Sequence, residues 1–307
     1  MTARFCAIGE CMIEISGTDA VGYKLGFAGD TFNTSWYVRA LLPEPNEVSY
    51  FTAFGDDPFS RRQRTFFETH GIDVASCPVI AGRHPGLYAI TLDAEGERTF
   101  TYWRTESAAR LLADQPSLLR RSIERCEYVY FSGITLAILD NRGRESLLRE
   151  IAEAKTGGGT VVFDPNFRPA LWESIEDART TIGNAERISD IVLTTFDDEV
   201  LLHGDATADV TTRRLREQEI QEFVIKRGRQ PAILFSDDTL RELPARDGIN
   251  VVDTTGAGDS FNGTYIAARI GGKTPCEAVL RAHAMASRVV SEYGALIPME
   301  WLKRERL

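Results

Sequence analysis

A glycine-rich turn near the end of the chain carries the residues best suited to chemistry. Residues 253–259 read Asp-Thr-Thr-Gly-Ala-Gly-Asp, and a helical pattern follows. Glycines let backbone N–H groups converge, and a helix start adds unpaired donors and the positive end of a dipole. We therefore expect Gly256, Ala257 and Gly258 to bind an anion such as phosphate. Asp259 could accept a proton from a hydroxyl. By itself the segment fits an ordinary turn with an Asp cap equally well.

A second small-residue turn enters a helix near the start of the chain, in the segment Ala28–Asn33. Gly29 lets the backbone approach a ligand closely. Asp30 and Asn33 could hold the hydroxyl groups of a substrate. Taken alone, Asp30 is better explained as a simple helix cap.

Charged and amide side chains follow other predicted strands. Asn166 and Arg168 come after the strand Thr160–Asp164, and both are donors for phosphate or for an acid. Lys226 and Gly228 end another strand, where a turn could lie along a nucleotide.

An acidic segment opens the helix that follows the strand Ile191–Thr194. Glu199, with Asp197 and Asp198, offers the hard oxygen ligands that suit Mg²⁺, directly or through water. Phosphoryl transfer requires that the reactants are positioned, that the phosphate charge is neutralised, and that a metal and a base are present.

Short apolar segments alternating with helical patterns would position these groups. The alternation predicts an α/β fold with a doubly wound, mainly parallel sheet and helices on both faces. In such sheets ligands bind beyond the carboxyl ends of the strands, so the candidate residues should line one crevice. The pair Val251–Val252 is expected to close the last strand, and a helix over Pro275–Tyr293 to close the fold.

Two segments alternate apolar and polar residues, unlike the continuous apolar segments of the main sheet. The pattern predicts a β-hairpin with one solvent-exposed face, formed by Leu87–Asp93 and Arg98–Arg104 and joined by Ala94–Glu97. We expect segments of about 10–28 and 85–105 to form a small sheet inserted as a lid in a single domain spanning 1–307.

Net charge and the distribution of apolar residues limit the classes of protein to which this chain is expected to belong. A net charge of −10 over 307 residues argues against a nucleic-acid-binding face. No apolar segment approaches the length of a membrane span, and no signal-peptide pattern opens the chain. A cytoplasmic location without membrane partners is therefore expected.

The two turns together resemble the signatures of the PfkB, or ribokinase-like, carbohydrate kinases. The segment 253–261 is similar to their C-terminal signature, and Ala28–Asn33 to their N-terminal one, with Ala28 where glycine is usual. The resemblance spans nearly the whole chain and implies a ribokinase-like fold with ATP and Mg²⁺ as cofactors. It implies that Asp259 is the base and that the turn before it is the anion hole.

The resemblance also implies the nucleotide site and the metal site. We expect the nucleotide to contact the residues at the ends of the strands and in the glycine-rich turn, namely Asn166, Arg168, Thr194, Lys226, Gly228, Gly256, Ala257 and Gly258. The family's Asn-x-x-Glu metal motif has Phe196 in place of Asn, so only Glu199 carries that role over. A monovalent cation is compatible with the resemblance.

Aromatic and basic residues of the lid point to the substrate. Tyr88, Tyr102 and Arg104, with Arg168, suit a sugar acid because arginine binds a carboxylate through two hydrogen bonds. The pattern is similar to that of the 2-keto-3-deoxygluconate kinases of the family. The alternatives are a kinase of a neutral sugar such as fructose or ribose, a silent sensor and, more remotely, a dehydrogenase. An exposed lid sheet also predicts a homo-oligomer that covers it.

Overall fold

The computed structural model describes residues 3–18, 22–92, 98–246 and 248–305. Strands and helices alternate along most of the chain. The strands are β1 (Arg4–Ile8), β2 (Met12–Thr18), β3 (Gly22–Ala28), β4 (Glu47–Phe51), β5 (Phe54–Gly55), β6 (Val79–Ile80), β7 (Leu87–Leu92), β8 (Arg98–Trp103), β9 (Tyr128–Ser132), β10 (Thr160–Asp164), β11 (Ile191–Thr195), β12 (Glu222–Arg227), β13 (Gln230–Ser236) and β14 (Thr239–Leu243). The helices are α1 (Asp30–Leu41), α2 (Pro58–Thr69), α3 (Pro116–Ile123), α4 (Gly133–Ile138), α5 (Asn141–Thr156), α6 (Ile175–Ile188), α7 (Phe196–His203), α8 (Ala208–Glu217), α9 (Ala257–Ile270), α10 (Pro275–Val289) and α11 (Met299–Glu305).

The main sheet has the order β14-β13-β12-β11-β10-β9-β1-β4. Strands β12, β11, β10, β9, β1 and β4 run parallel, while β13 and β14 are antiparallel additions at one edge. The central strands are buried along almost their whole length, which explains their continuous apolar sequences. Helices α1, α9, α10 and α11 pack as one group, and α3, α5 and α6 as another. The predicted mainly parallel α/β fold is confirmed.

A separate four-stranded sheet, the lid, has the order β3-β2-β7-β8. Strand β2 pairs parallel with β7, and the pairs β2–β3 and β7–β8 are antiparallel. Because side chains alternate along a strand, Tyr88 and Tyr102 share one face, which we call the inner face, while Leu87 and Trp103 share the outer face. The predicted connection Ala94–Glu97 lies outside the described residues.

The end of the chain differs from the prediction in two respects. Val251–Val252 does not form a strand, because the N–H of Val252 donates to the carbonyl of Val290 at 2.7 Å, at the end of α10, and not to a strand of the sheet. Helix α10 ends at Val289 instead of continuing to Tyr293. Among the described residues, no helix has the length and apolar character to cross a membrane.

Candidate active site

The glycine-rich turn forms the start of α9. Gly256 is the residue before the helix and has φ +75°, a left-handed conformation that glycine adopts without strain. A Cβ atom there would lie 2.8 Å from the Cα of Ala295. The amides of Gly258 and Asp259 fall in the first turn, where a helix supplies no carbonyl partner. An anion above this turn would meet free N–H donors and the positive end of the helix dipole.

Asp259 lies in the first turn of α9 and contacts α1. The Asn33 amide donates to Asp259 Oδ2 at 2.8 Å, across 226 residues of sequence. Burial and the neighbouring Asp30 carboxylate raise the pKa of Asp259 to about 7, although the Asn33 hydrogen bond acts in the opposite direction. Its carboxyl group therefore titrates where a general base is most useful.

Asp30 and Asn166 form the second polar pair of the crevice. The Asn166 amide donates to Asp30 Oδ2 at 2.9 Å, joining the start of α1 to the end of β10. Asn166 has φ +33°, and its backbone N–H donates to Asp164 Oδ1 at 3.1 Å. A non-glycine residue in this conformation costs energy and is typical of functional turns.

Lys226 lies beneath the glycine-rich turn. Its ammonium group donates to Asp164 Oδ2 at 3.3 Å and to Asn262 Oδ1 at 3.0 Å. The Asn262 amide in turn donates to Asp164 Oδ2 at 2.6 Å. A Cβ atom built on Gly258 would lie 3.9 Å from the Lys226 nitrogen, so this cation faces the turn closely. The arrangement places an ammonium group, paired with the Asp164 carboxylate, below the anion-binding amides.

Arg168 is at the rim of the crevice. It donates to Asp198 Oδ1 at 3.1 Å, and about half of its side chain is exposed. Its Nη1 also donates to the carbonyl of Phe167 at 2.8 Å, and the exposed half of the side chain lies where a ligand could reach it.

The inner face of the lid carries polar side chains that are paired with carboxylates. Arg104 forms an ion pair with Glu10, which follows β1, and the Tyr88 hydroxyl donates to Glu14 on β2. Within the described residues, Glu10 Oε1 and Arg104 Nε are buried and lack a hydrogen-bond partner. Tyr102 is about half exposed and lies beside Tyr88, with ring centroids 5.8 Å apart. Arg104 is thus neutralised in part and keeps hydrogen-bonding capacity.

Thr194 and Glu199, the predicted cofactor and metal contacts, are both buried in the interior. The Thr194 hydroxyl donates to Glu199, and Arg214 of α8 also pairs with that carboxylate. Burial and the neighbouring Glu186 raise the pKa of Glu199 to about 8. Direct coordination of a metal would require this interior network to open, so the metal role of Glu199 remains only a prediction.

A cleft beside the start of α9 has room for a nucleotide base. Its volume is about 430 Å³, and it is lined by residues that include Gly228, Val251, Thr254, Ala257 and His283. Apolar walls next to an anion-binding helix start are the features that ATP requires. In the part of the chain that the structure describes, no three His, Cys, Asp or Glu residues cluster as a metal site. Separate carboxylates in the crevice still suit Mg²⁺, because this ion binds proteins through few carboxylates and takes its other ligands from phosphates and water.

Sequence reasoning missed three functional candidates. Asn262 lies three residues after Asp259, a spacing that places both on one face of α9 and could have revealed it. Glu10 is a polar residue at the end of a buried strand, which was an available signal. Arg98 carried no local signal, because its contacts are with residues more than 150 positions away.

Comparison with known proteins identifies the family. The model of the pfkB family carbohydrate kinases matches residues 2–302. The chain belongs to the PfkB family. It is 38% identical over 305 residues to the 2-dehydro-3-deoxygluconokinase of Dickeya dadantii, covering 97% of this chain and 98% of the relative. It is 39% identical over 306 residues to the Escherichia coli protein of the same name, covering 98% and 99%.

Solved structures share the fold of this PfkB-family chain. An aminoimidazole riboside kinase from Salmonella enterica, in complex with aminoimidazole riboside and an ATP analogue, has a TM-score of 0.83 at 23% identity, covering 98% of each chain. A protein named ribokinase II from E. coli, in complex with ATP and Mg²⁺, has a TM-score of 0.84 at 22% identity, covering 99% of this chain and 98% of its own. These likenesses establish a ribokinase-like fold.

Proposed function

We propose that this PfkB-family kinase transfers the γ-phosphoryl group of ATP to the terminal hydroxyl of 2-keto-3-deoxygluconate, giving 2-keto-3-deoxy-6-phosphogluconate. The observation that carries the proposal is the identity of 38–39% over nearly the full length of two 2-dehydro-3-deoxygluconokinases. The crevice geometry supports the same reaction. Asp259 lies at a helix start built for an anion, beneath a lid that carries Arg104.

In the proposed reaction, Asp259 takes the proton of the terminal hydroxyl as its oxygen attacks phosphorus. The bond between the γ-phosphorus and the bridging oxygen breaks, and ADP leaves. The turn Gly256–Gly258, through the free amides of Gly258 and Asp259 and with Lys226 below them, stabilises the negative charge on the transferred group. Mg²⁺, when bound with ATP, neutralises phosphate charge.

The remaining site residues hold the two substrates. We assign Gly29, Asp30 and Asn33 to the sugar hydroxyls, because Asp30 and Asn33 lie beside Asp259 and Asn166. Gly29 is required for space, since a Cβ atom there would lie 2.2 Å from the carbonyl oxygen of Glu10.

The acid end of the sugar lies under the lid in this proposal. Arg104, Tyr88 and Tyr102 bind it, and the Nε of Arg104, which has no hydrogen-bond partner among the described residues, supplies a donor for the carboxylate. Arg168 serves both the sugar and the phosphates, and Asn166 serves the nucleotide. Closure of the lid excludes water and limits hydrolysis of ATP.

A substrate panel with ADP detection tests the proposal. We expect turnover with 2-keto-3-deoxygluconate to exceed that with fructose or ribose by at least about 100-fold in kcat/KM, because each lost charged hydrogen bond costs a few kcal/mol. Faster turnover of a neutral sugar would favour the alternative kinase. Absence of ADP release with every compound would indicate a sensor.

Substitution of Arg104 tests the acid site. We expect Arg104→Gln to raise KM for the sugar acid by about 10–100-fold and to change KM for a neutral analogue little. Arg83→Gln is the matched control, because Arg83 forms an exposed ion pair with Glu106 elsewhere in the same region. Equal effects of Arg104→Gln on both substrates would contradict the role.

We also propose that the kinase is a cytoplasmic homo-oligomer that covers the outer face of the lid. That face forms an apolar groove of about 520 Å³ lined by Ile13, Ile15, Leu25, Leu87 and Trp103, among others. Exposed apolar surfaces of this kind commonly mark interfaces. The five cysteines are unpaired, which fits a reducing compartment.

A further inference from the structure

An ion pair joins the lid to the glycine-rich turn. Arg98, the first residue of β8, donates from Nη1 to Asp253 Oδ1 at 2.5 Å and to Thr255 Oγ1 at 2.8 Å. The Asp253 side chain is only 2% exposed, and that of Arg98 is 24% exposed. Ordinary surface ion pairs contribute little, but a buried carboxylate depends on its partner.

Asp253 holds the backbone on both sides of the turn. Its Oδ1 accepts from the N–H of Thr255 at 3.0 Å, and its Oδ2 accepts from the N–H of Gly294 at 2.6 Å. The second contact fixes the segment containing Ala295, against which Gly256 packs. The carboxylate of Asp253 therefore determines where the anion-binding amides lie.

Arg98 and Arg104 lie on the same inner face of the lid. Arg98 begins β8 and Arg104 directly follows its last residue, Trp103, so the two are six residues apart, which corresponds to about 20 Å in extended chain. Arg104 pairs with Glu10 after β1, and Arg98 pairs with Asp253 beside α9. The inner face of the lid thus bridges the crevice from one wall to the other. The contact of Arg98 with Asp253 requires the lid to lie over the crevice.

We infer that Arg98 is a positioning residue that assembles the anion-binding turn only when the lid is closed. With the lid raised, Asp253 loses its cationic partner and the turn at 254–258 loosens. The lid thereby couples substrate enclosure to the geometry that phosphoryl transfer needs. The inference rests on the proposed kinase function for its catalytic consequence, and on the contacts of Arg98 and Asp253 for its structural one.

Four variants test the inference by kinetics, namely Arg98→Gln, Arg98→Lys, Asp253→Asn and the double variant Arg98→Gln/Asp253→Asn. We expect Arg98→Gln to lower kcat by about 10–100-fold while KM for the sugar acid stays within about three-fold, because the displaced groups bind the phosphoryl group and not the sugar. Arg98→Lys should recover most of the rate. The double variant should be no slower than Asp253→Asn, since Arg98 acts through Asp253.

Hydrogen exchange of the intact protein gives a readout independent of catalysis. We expect amides of the segment 254–260 to exchange at least about ten-fold faster in Arg98→Gln than in the parent, and unchanged in the control Arg83→Gln. Unchanged exchange in Arg98→Gln would overturn the inference, as would a kcat within two-fold of the parent or losses that add in the double variant. If the parent phosphorylated no sugar, the proposed function would fail, and the exchange data would still decide the role of Arg98.

Discussion

The electrostatic surroundings of Asp259 govern its chemistry at the scale of single residues. Burial and the carboxylates of Asp30 and Asp164 raise its pKa, whereas Asn33 and Lys226 lower it, and the balance is about 7. A carboxyl group with this pKa is a stronger base than an ordinary aspartate, yet it is deprotonated in half of the molecules at neutral pH. Activity and stability should therefore both depend on its titration.

The pH profile of turnover tests the base. Only the deprotonated carboxylate can accept a proton, so kcat/KM should rise with pH, with an apparent pKa of about 7, and level off above it. Asp259→Asn should lower kcat on the order of 10²–10⁴-fold with KM within a few-fold. A profile that is flat between pH 5.5 and 8.5 would contradict the assignment.

Stability should change in the opposite direction. The folded-state pKa of Asp259 lies above its ordinary value of 3.8, so the folded protein binds the proton more tightly than the unfolded chain does. The free energy of unfolding contributed by this group therefore falls as pH rises from about 4 to about 7. We expect Asp259→Asn to stabilise the protein by about 1–3 kcal/mol at pH 8 and by little at pH 4. Denaturant unfolding at both values measures the difference.

At the scale of elements, the start of α9 depends on one glycine conformation. Gly256→Ala would place a Cβ in a left-handed residue and against Ala295, and we expect a loss of about 1–3 kcal/mol in the free energy of unfolding. Displacement of the amides should also lower kcat on the order of 100-fold. Gly258→Ala is the matched control for stability, since the nearest described atom outside the backbone of its own helix would be 3.9 Å from its Cβ. Equal stability losses in the two variants would refute the steric argument.

Helices α6, α7 and α8 meet at a buried ionic cluster. Arg214 pairs with Glu199, with Glu186 at 3.6 Å and with Asp205 at 3.5 Å. Three carboxylates share one guanidinium, so removal of that cation leaves charge buried without compensation.

Substitution of Arg214 tests the importance of this cluster for stability. We expect Arg214→Gln to lower the free energy of unfolding by about 3–5 kcal/mol at pH 9, above the pKa of about 8 of Glu199, where this carboxyl group is mostly ionised. Arg213→Gln, on the exposed side of the same helix, should change it by less than about 0.5 kcal/mol. Thermal or urea unfolding of both variants makes the comparison. A small loss for Arg214→Gln at pH 9 would contradict the ionic role of Arg214 in this cluster.

At the scale of the whole molecule, the lid has two faces with different roles. The inner face carries Arg98, Tyr88 and Arg104 towards the crevice, and the outer face is apolar. A second copy of the chain placed on the outer face would bury the groove and hold the lid sheet in place.

Sedimentation velocity at micromolar concentration tests this assembly. We expect the parent to sediment as a dimer or larger oligomer and Leu25→Asp to sediment as a monomer, because each interface would bury two added charges. Val210→Asp is the control, since Val210 on α8 is 38% exposed and Leu25 is 37% exposed. A monomeric parent would remove the proposal of an oligomer.

Local sequence patterns were sufficient to predict most of the elements of the fold. The apolar strands and the periodic helices predicted the sheet, because both patterns follow from backbone geometry within a few residues. The two lid strands, expected over Leu87–Asp93 and Arg98–Arg104, and the two glycine turns were equally visible in the sequence. The contacts of Asn33 with Asp259 and of Asn166 with Asp30 lie where strand ends were expected to gather. Their substrate roles stay proposals.

Only the tertiary structure decided which charges meet. Arg104 joins Glu10 and Arg98 joins Asp253 across 94 and more than 150 residues, and Glu199 turns inward to Arg214. Such pairs depend on distance and burial, which no local pattern encodes. The pKa of Asp259 has the same origin, since burial and the carboxylate of Asp30, 229 positions away in sequence, raise it. The sequence thus determined the chemical groups of the site, and the fold determined their charges and partners.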